Sequence, residues 1–215
     1  MDLSYFTQEW REVLELTVVH IELSLRVLTL ALAIAVPLGI LATYFRPLTT
    51  PLLGLLGIIY TVPSLALLAF LIPTLGIGRR PAVIALAVYT QIFLVRNIIA
   101  GLRGVNADLL EAGQGLGMNW IQLFWKVSLP LALPVMLAGV RTAVVTTISL
   151  ATVAAWINAG GLGTLLFEGI ARNYPAMINA GAISVILLAL AADLLLRGLE
   201  RFTPTARTNR AVRGV

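Results

Sequence analysis

The chain has 215 residues, 59% of them hydrophobic and only 12% charged, with a mean hydropathy of +0.95 and a formal charge of +5. That leaves too little polar surface for a soluble globule and marks an integral membrane protein. No cysteine and a single histidine, His20, exclude disulfide or thiolate chemistry and a conventional metal site; the only lysine, Lys126, lies between Trp125 and Val127, outside any Gly-x-x-x-x-Gly-Lys phosphate cradle, so this chain does not hydrolyse ATP by that route.

Residues 1–20 carry Asp2, Glu9, Glu12 and Glu15 against Arg11, with Trp10 and Leu14 on an amphipathic face. They lack the basic start, apolar core and small-residue cleavage site of a signal peptide, and the segment is expected at the membrane interface, His20 included. A hydrocarbon core about 30 Å thick takes about 20 helical residues. Runs at 24–45, 52–73, 82–102, 132–156 and 176–197 meet that length. The expected fold class is therefore all-α, a polytopic membrane bundle of about five helices forming one domain.

Pro37, Pro63 and Pro134 fall inside these runs and predict kinks. Gly54, Gly57 and Gly139 suit close helix packing. Glu22 with Arg26, and Asp193 with Arg197, have the i, i+4 spacing of ion pairs on one helix face. Arg96 and Arg141, near span ends, either snorkel to the interface or serve a gate or dimer contact. The glycines from 160 to 169 suggest a re-entrant or gate segment, with an ordinary flexible linker as the equal alternative. Arg46, Arg96, Arg103, Lys126, Arg141 and the five arginines of the C-terminal region fall on one side of such a bundle, against Arg11, Arg79, Arg80 and Arg172 on the other. The positive-inside rule then puts the N-terminus outside and the basic tail, 198–215, in the cytoplasm. That tail is a topology signal, not a nucleic-acid site.

Between the third and fourth runs lies a polar interruption, 104–128. Asn106 or Asp108 can cap a short helix, Leu109, Leu110 and Leu116 give it an apolar stripe, and Gly117 can end it. A helix this short is marginal alone, so it is expected to pack against a partner and present Glu111.

Glu111, Ala112, Gly117, Leu129 and Pro130 match the pattern Glu-Ala-Ala, a glycine four residues on, then Ile-x-Leu-Pro. In this the chain resembles the permease subunits of ATP-binding-cassette importers. It departs at Gly113, where alanine is usual, and at Val127, where isoleucine is usual; Gly113 would loosen a helix by up to about 1 kcal/mol relative to alanine. Thr61 to Leu67 with Ile72 to Gly78, Leu129 to Ala143, and Ala159 to Gly163 are similar to one branch, the importers of glycine betaine, choline, carnitine and related osmoprotectants. The likeness covers roughly residues 20–200. Asn158 stands where a glycine is expected.

The resemblance implies a type I importer fold working by alternating access. It implies a pair of ATPase subunits using ATP and magnesium, a second permease, identical or similar, and an extracytoplasmic solute-binding protein, with no cofactor or metal on this chain. Asp108, Leu109, Leu110, Glu111, Ala112, Gly113, Leu116, Gly117, Leu129 and Pro130 would form the ATPase-coupling segment. A quaternary ammonium solute donates no hydrogen bond and favours aromatic faces, so Tyr60, Tyr89 and Trp156, with Pro63, Ser64 and Asn158, are candidates for the path; the alternative for the aromatics is an interfacial belt. A small amino acid such as methionine is the second substrate class, and a stand-alone channel the second function class.

Overall fold

In lipid the backbone must satisfy its own hydrogen bonds, so long apolar runs become helices. A computed structural model describes residues 3–200, and every regular element among them is helical. A short α1 (Ser4–Gln8) precedes α2 (Trp10–Tyr44), α3 (Arg46–Thr61), α4 (Ser64–Leu75) and α5 (Arg79–Arg103). Then come α6 (Ala107–Gly115) and α7 (Trp120–Leu123), which runs through a π turn at Phe124–Ser128 into α8 (Leu129–Ala154). A 3-10 turn at Ala155–Ile157, α9 (Gly163–Ala171) and α10 (Pro175–Glu200) complete the order.

Four continuous stretches are long and apolar enough to cross a membrane: Trp10–Tyr44, Arg79–Arg103, Trp120–Ile157 and Pro175–Glu200. The expected second span is not one helix. It is α3 and α4, bent by 94° at a short break, a broken span or a re-entrant loop, and a fifth crossing exists only if the pair counts as one span. Pro63 explains the break: its ring disfavours helical backbone at the preceding residue, and Val62 is extended at φ −66°, ψ 129°.

The first helix begins at Trp10, not at 24. The acids at its start do not stop it, because Glu12 in the first turn faces the positive end of the helix dipole and accepts a hydrogen bond from the Tyr5 hydroxyl. Burial, reinforced by that carboxylate, raises the Tyr5 phenol above its ordinary range. At 35 residues α2 is about 52 Å long, well beyond a hydrocarbon core. The fourth span likewise begins earlier than 132, at Trp120, so the second half of the expected loop is already helix. From Gly163 the glycine-rich stretch is α9 rather than a linker, and Gly160 and Gly161 form the turn before it.

Helix α5 is the axis of the bundle, packed against α2, α3, α4 and α8. Small residues make the approach possible. A Cβ at Gly101 would lie 2.8 Å from the Ala132 carbonyl oxygen, and one at Gly139 would lie 2.3 Å from the Asn97 Cβ. Buried polar side chains bridge the same seams. Gln91 donates to the Ala31 carbonyl of α2 at 3.0 Å, and the Thr90 and Thr147 hydroxyls meet at 3.2 Å between α5 and α8. Such interhelical bonds are worth about 0.6 kcal/mol each on average in a membrane.

His20 is a correction to the sequence reading: it is fully buried, not interfacial. The Leu162 amide donates to its Nδ1 at 3.2 Å, which leaves Nε2 as the donor to the Ile148 carbonyl at 3.0 Å. One imidazole thus ties α2 to α8 and to the turn before α9. Gly161, at φ +85°, is the residue that lets the turn close over the ring, since a Cβ there would lie 2.9 Å from Nδ1.

Both expected i, i+4 pairs, Glu22–Arg26 and Asp193–Arg197, form. Arg79 joins Glu22 from α5 at 3.4 Å, and Arg141 of α8 reaches Asp193 at 3.2 Å and Glu200 at 3.0 Å on α10. Arg141 is therefore an interhelix tie rather than a lone snorkelling cation.

Candidate functional site

Helix α6 is built by its ends. The Asn106 side chain accepts the Asp108 amide at 2.9 Å, so Asn106 is the N-cap and Asp108 sits in the first turn where the dipole favours an acid. At the other end the Gly117 amide bonds to the Gln114 carbonyl at 2.9 Å and the Met118 amide to the Gly113 carbonyl at 3.1 Å, with Gly117 at φ +77°. This is the Schellman arrangement, and it needs the left-handed residue that glycine supplies without strain. Two residues later α7 opens with a reciprocal cap between Asn119 and Gln122.

Only Gly113 of α6 is buried. A Cβ on it would lie 2.6 Å from Leu123 Cδ1, with Met118 Sδ at 3.5 Å. The departure from the usual alanine therefore has a packing cause: glycine lets α6 lie directly on α7. Glu111 and Ala112 are exposed, Leu110 is half-buried, and Leu109 and Leu116 are 47% and 80% exposed. Trp120 and Ile121 extend this apolar surface. A short, capped helix showing leucines and two acids, Asp108 and Glu111, outward has the form of a docking surface.

The elbow is tied to the bundle from two sides. The Trp120 ring meets Tyr44 edge-on at 5.9 Å and stacks on Phe124 at 6.2 Å. Arg103, at the end of α5, donates to the Ala42 carbonyl at 2.9 Å and the Thr49 hydroxyl at 2.7 Å, fastening the turn between α2 and α3. Leu129 and Pro130 form the first turn of α8. Pro130 has no amide and its ring crowds the carbonyl four residues back. The turn before it widens, and the Leu129 amide bonds to the Phe124 carbonyl, five residues away.

A second site lies between α3 and α5. Tyr60, Ile92, Phe93, Arg96, Asn97 and Ala100 line a cavity of about 390 Å³. Tyr60 packs edge-on to Phe93 at 5.3 Å and to the buried Tyr89 at 5.9 Å. Two of the expected path residues, Tyr60 and Tyr89, thus come together. Pro63 and Ser64 form the α3–α4 break beyond them. Trp156 and Asn158 do not join this cluster. They line another cavity, of about 380 Å³, with Phe167 and Glu168 of α9. The Asn158 carbonyl lies beside Gly78 at the start of α5, whereas Arg96 is about 26 Å further along that helix. Asn158 is left-handed at φ 60°, a conformation asparagine tolerates, so its place in a glycine position costs little.

The model of the binding-protein-dependent transport system inner membrane component matches residues 35–203. The chain belongs to that family. Among its relatives, the carnitine transport permease protein OpuCB of Listeria monocytogenes is 42% identical over 206 residues, covering 95% of this chain and 94% of that one. The glycine betaine/carnitine/choline transport system permease protein OpuCB of Bacillus subtilis is 40% identical over 190 residues, 88% of each chain. Among solved structures, an inward-facing form of the MetNI methionine ABC transporter superposes with a TM-score of 0.79 over 94% of this chain and 98% of that one, at 22% identity, which shows the shared fold. The chain is thus a transport component of the inner membrane, with several membrane-spanning helices.

Phe93 and Arg103 were missed by sequence reasoning. Phe93 had a signal, its i, i+4 spacing from Tyr89 on one face of α5. Arg103 had none, because its acceptors lie in a turn some sixty residues upstream in the chain.

Proposed function

We propose that this chain is the membrane-spanning subunit of an ATP-driven importer of small osmoprotectant solutes bearing a quaternary ammonium group. Paired permeases, ATPase subunits on the cytoplasmic side and a solute-binding protein outside complete the assembly. The N-terminus faces outward, in line with the excess of arginine at the opposite end. The observation that carries this reading is α6, a helix capped at both ends, resting on α7 through Gly113 and, with its C-cap, showing Glu111, Leu109 and Leu116 to whatever lies below it.

Such a helix is a lever. ATP-driven closure of the ATPase pair moves the docked elbows, and Trp120 to Ile157, one continuous helix, carries that motion to the seam with α5. The ATPase must interact differently with the two states of the permease for its ligand to shift them, and the exposed face of α6 is the surface through which it does so. Leu129 and Pro130 set the joint between lever and span.

Uptake into proteoliposomes holding the permease with its ATPase and binding protein tests the reading. Glu111→Lys or Gly117→Asp should leave insertion intact and reduce ATP-dependent uptake at least tenfold while ATP hydrolysis continues uncoupled. Normal transport in both variants, or accumulation by the permease alone against a gradient, would remove the docking role. A methionine permease is the second reading, and only the likeness of fold speaks for it.

A further inference from the structure

The transport reading leaves open which charge pattern the solute carries, since carnitine and glycine betaine are zwitterions and choline is a cation alone. We infer that the cavity between α3 and α5 is a zwitterion site, in which Tyr60 and Phe93 hold the quaternary ammonium and Arg96 holds the carboxylate. The inference rests on the proposed transport function and refines its substrate class.

The cavity joins the two chemistries such a solute requires. Tyr60 and Phe93 are nearly perpendicular, at 85° with centroids 5.3 Å apart, so their rings form a corner rather than a stack. Tyr89 supports Tyr60 from the buried side at 5.9 Å. A trimethylammonium group has no N–H to donate and is attracted to ring faces by their quadrupole. Arg96 stands one turn beyond Phe93 on α5 and lines the same space.

Arg96 is unlike the other arginines inside the spans, although among the described residues Arg46 and Arg80, at the starts of α3 and α5, also lack an ion pair. Arg26 and Arg79 have Glu22, Arg141 and Arg197 have Asp193, and Arg103 has backbone carbonyls. Among the described residues Arg96 makes no ion pair or hydrogen bond, and no carboxylate lines its cavity. An unpaired cation on a membrane-spanning helix is costly and calls for an anion or a water-filled cavity, and a guanidinium fork matches a carboxylate in bidentate geometry. Asn97 makes the wall firm. Its Nδ2 donates to the Phe93 carbonyl at 2.8 Å, and its Cβ lies against Gly139 of α8. A zwitterion satisfies both ends of the cavity, whereas choline brings its charge beside Arg96 with no anion to offset the repulsion.

The test is equilibrium binding of radiolabelled glycine betaine and choline to the nucleotide-free permease–ATPase complex in nanodiscs, without the binding protein. The wild type should bind glycine betaine at least tenfold more tightly than choline. Arg96→Gln should weaken glycine betaine at least tenfold and leave choline unchanged or tighter. Arg96→Lys should keep part of the preference, and Tyr60→Leu should weaken both ligands. Basal ATPase activity of each variant reports intact assembly. Should Arg96→Gln fail to assemble, Tyr60→Leu carries the test, and unchanged binding there overturns the site. Equal affinity for the two ligands, no binding of glycine betaine by the wild type, or indifference of that binding to Arg96→Gln overturns it as well. Proteoliposome uptake separates the two levels: if no quaternary ammonium solute is transported, the transport reading itself fails, whereas robust uptake with binding indifferent to Arg96 sinks the zwitterion site alone.

Discussion

The α5–α8 seam and the α6 elbow use the same device, a glycine beneath a neighbouring side chain, and differ in how many other contacts surround it. At Gly139 a Cβ would meet the Asn97 Cβ at 2.3 Å, in a seam that also buries Gly101, Ala132, Ala143 and the Thr90–Thr147 pair. At Gly113 it would clash with the tip of Leu123 alone, with Met118 and Val127 at ordinary contact distance, and nothing else in α6 is buried. The first glycine belongs to a body whose parts must move together. The second is a hinge point on which one short helix rests. A permease driven from outside the membrane needs both, a stiff seam to transmit motion and a lightly held lever to receive it.

That contrast can be broken by substitution, and the seam should give the largest effect. Gly139→Leu forces Asn97 and α5 away from α8, a cost above ~3 kcal/mol at the upper end of overpacking. The variant should yield no monodisperse complex on size exclusion. His20→Ala comes next. It leaves the Leu162 amide without its acceptor in a buried place and opens a void, about 3 kcal/mol together, read as a lower midpoint of thermal unfolding. His20→Asn, which keeps an acceptor near the Nδ1 position, should recover part of that loss.

Gly113→Ala should behave differently. Leu123 is flexible at the atom it would meet, so about 1 kcal/mol is expected, appearing as weaker coupling of hydrolysis to uptake rather than as global unfolding. Leu123→Ala in the same chain should restore coupling. If Gly113→Ala lowers the unfolding midpoint as much as Gly139→Leu prevents assembly, the distinction between seam and lever is wrong. The smallest effect belongs to Arg197→Ala. Its partner Asp193 also holds Arg141, and the Arg197 side chain is 56% exposed, so less than about 0.5 kcal/mol is expected in the same unfolding measurement.

The reach of the sequence follows the range of the forces involved. The apolar runs, the i, i+4 pairs and the caps of α6 depend on neighbours within a turn or two, and each was legible. Asn106, Gly117 and Glu111 could be placed on a short helix because capping is local chemistry. Pro63 announced a deflection, but a kink and a 94° break leave the same mark in sequence, since the angle is set by what the second helix packs against. His20 looked interfacial because the groups that satisfy it, the Ile148 carbonyl and the Leu162 amide, lie 128 and 142 residues away. The Tyr60–Phe93–Arg96 cavity was half visible: the aromatics could be nominated singly, but their meeting depends on how α3 lies across α5. Trp156 was nominated with them and belongs elsewhere for the same reason.

The widened turn at Phe124–Ser128 takes up a surplus residue in the long helix from Trp120 to Ile157. One surplus residue sits between lever and span, and each residue of an α-helix is worth about 100° of rotation. Removing a single residue there would let the coil close to regular pitch with Glu111 facing nearly as it does now, whereas removing one from the regular part of α8 would swing the lever around its axis. The widened turn therefore preserves the azimuth of the handle despite the surplus residue.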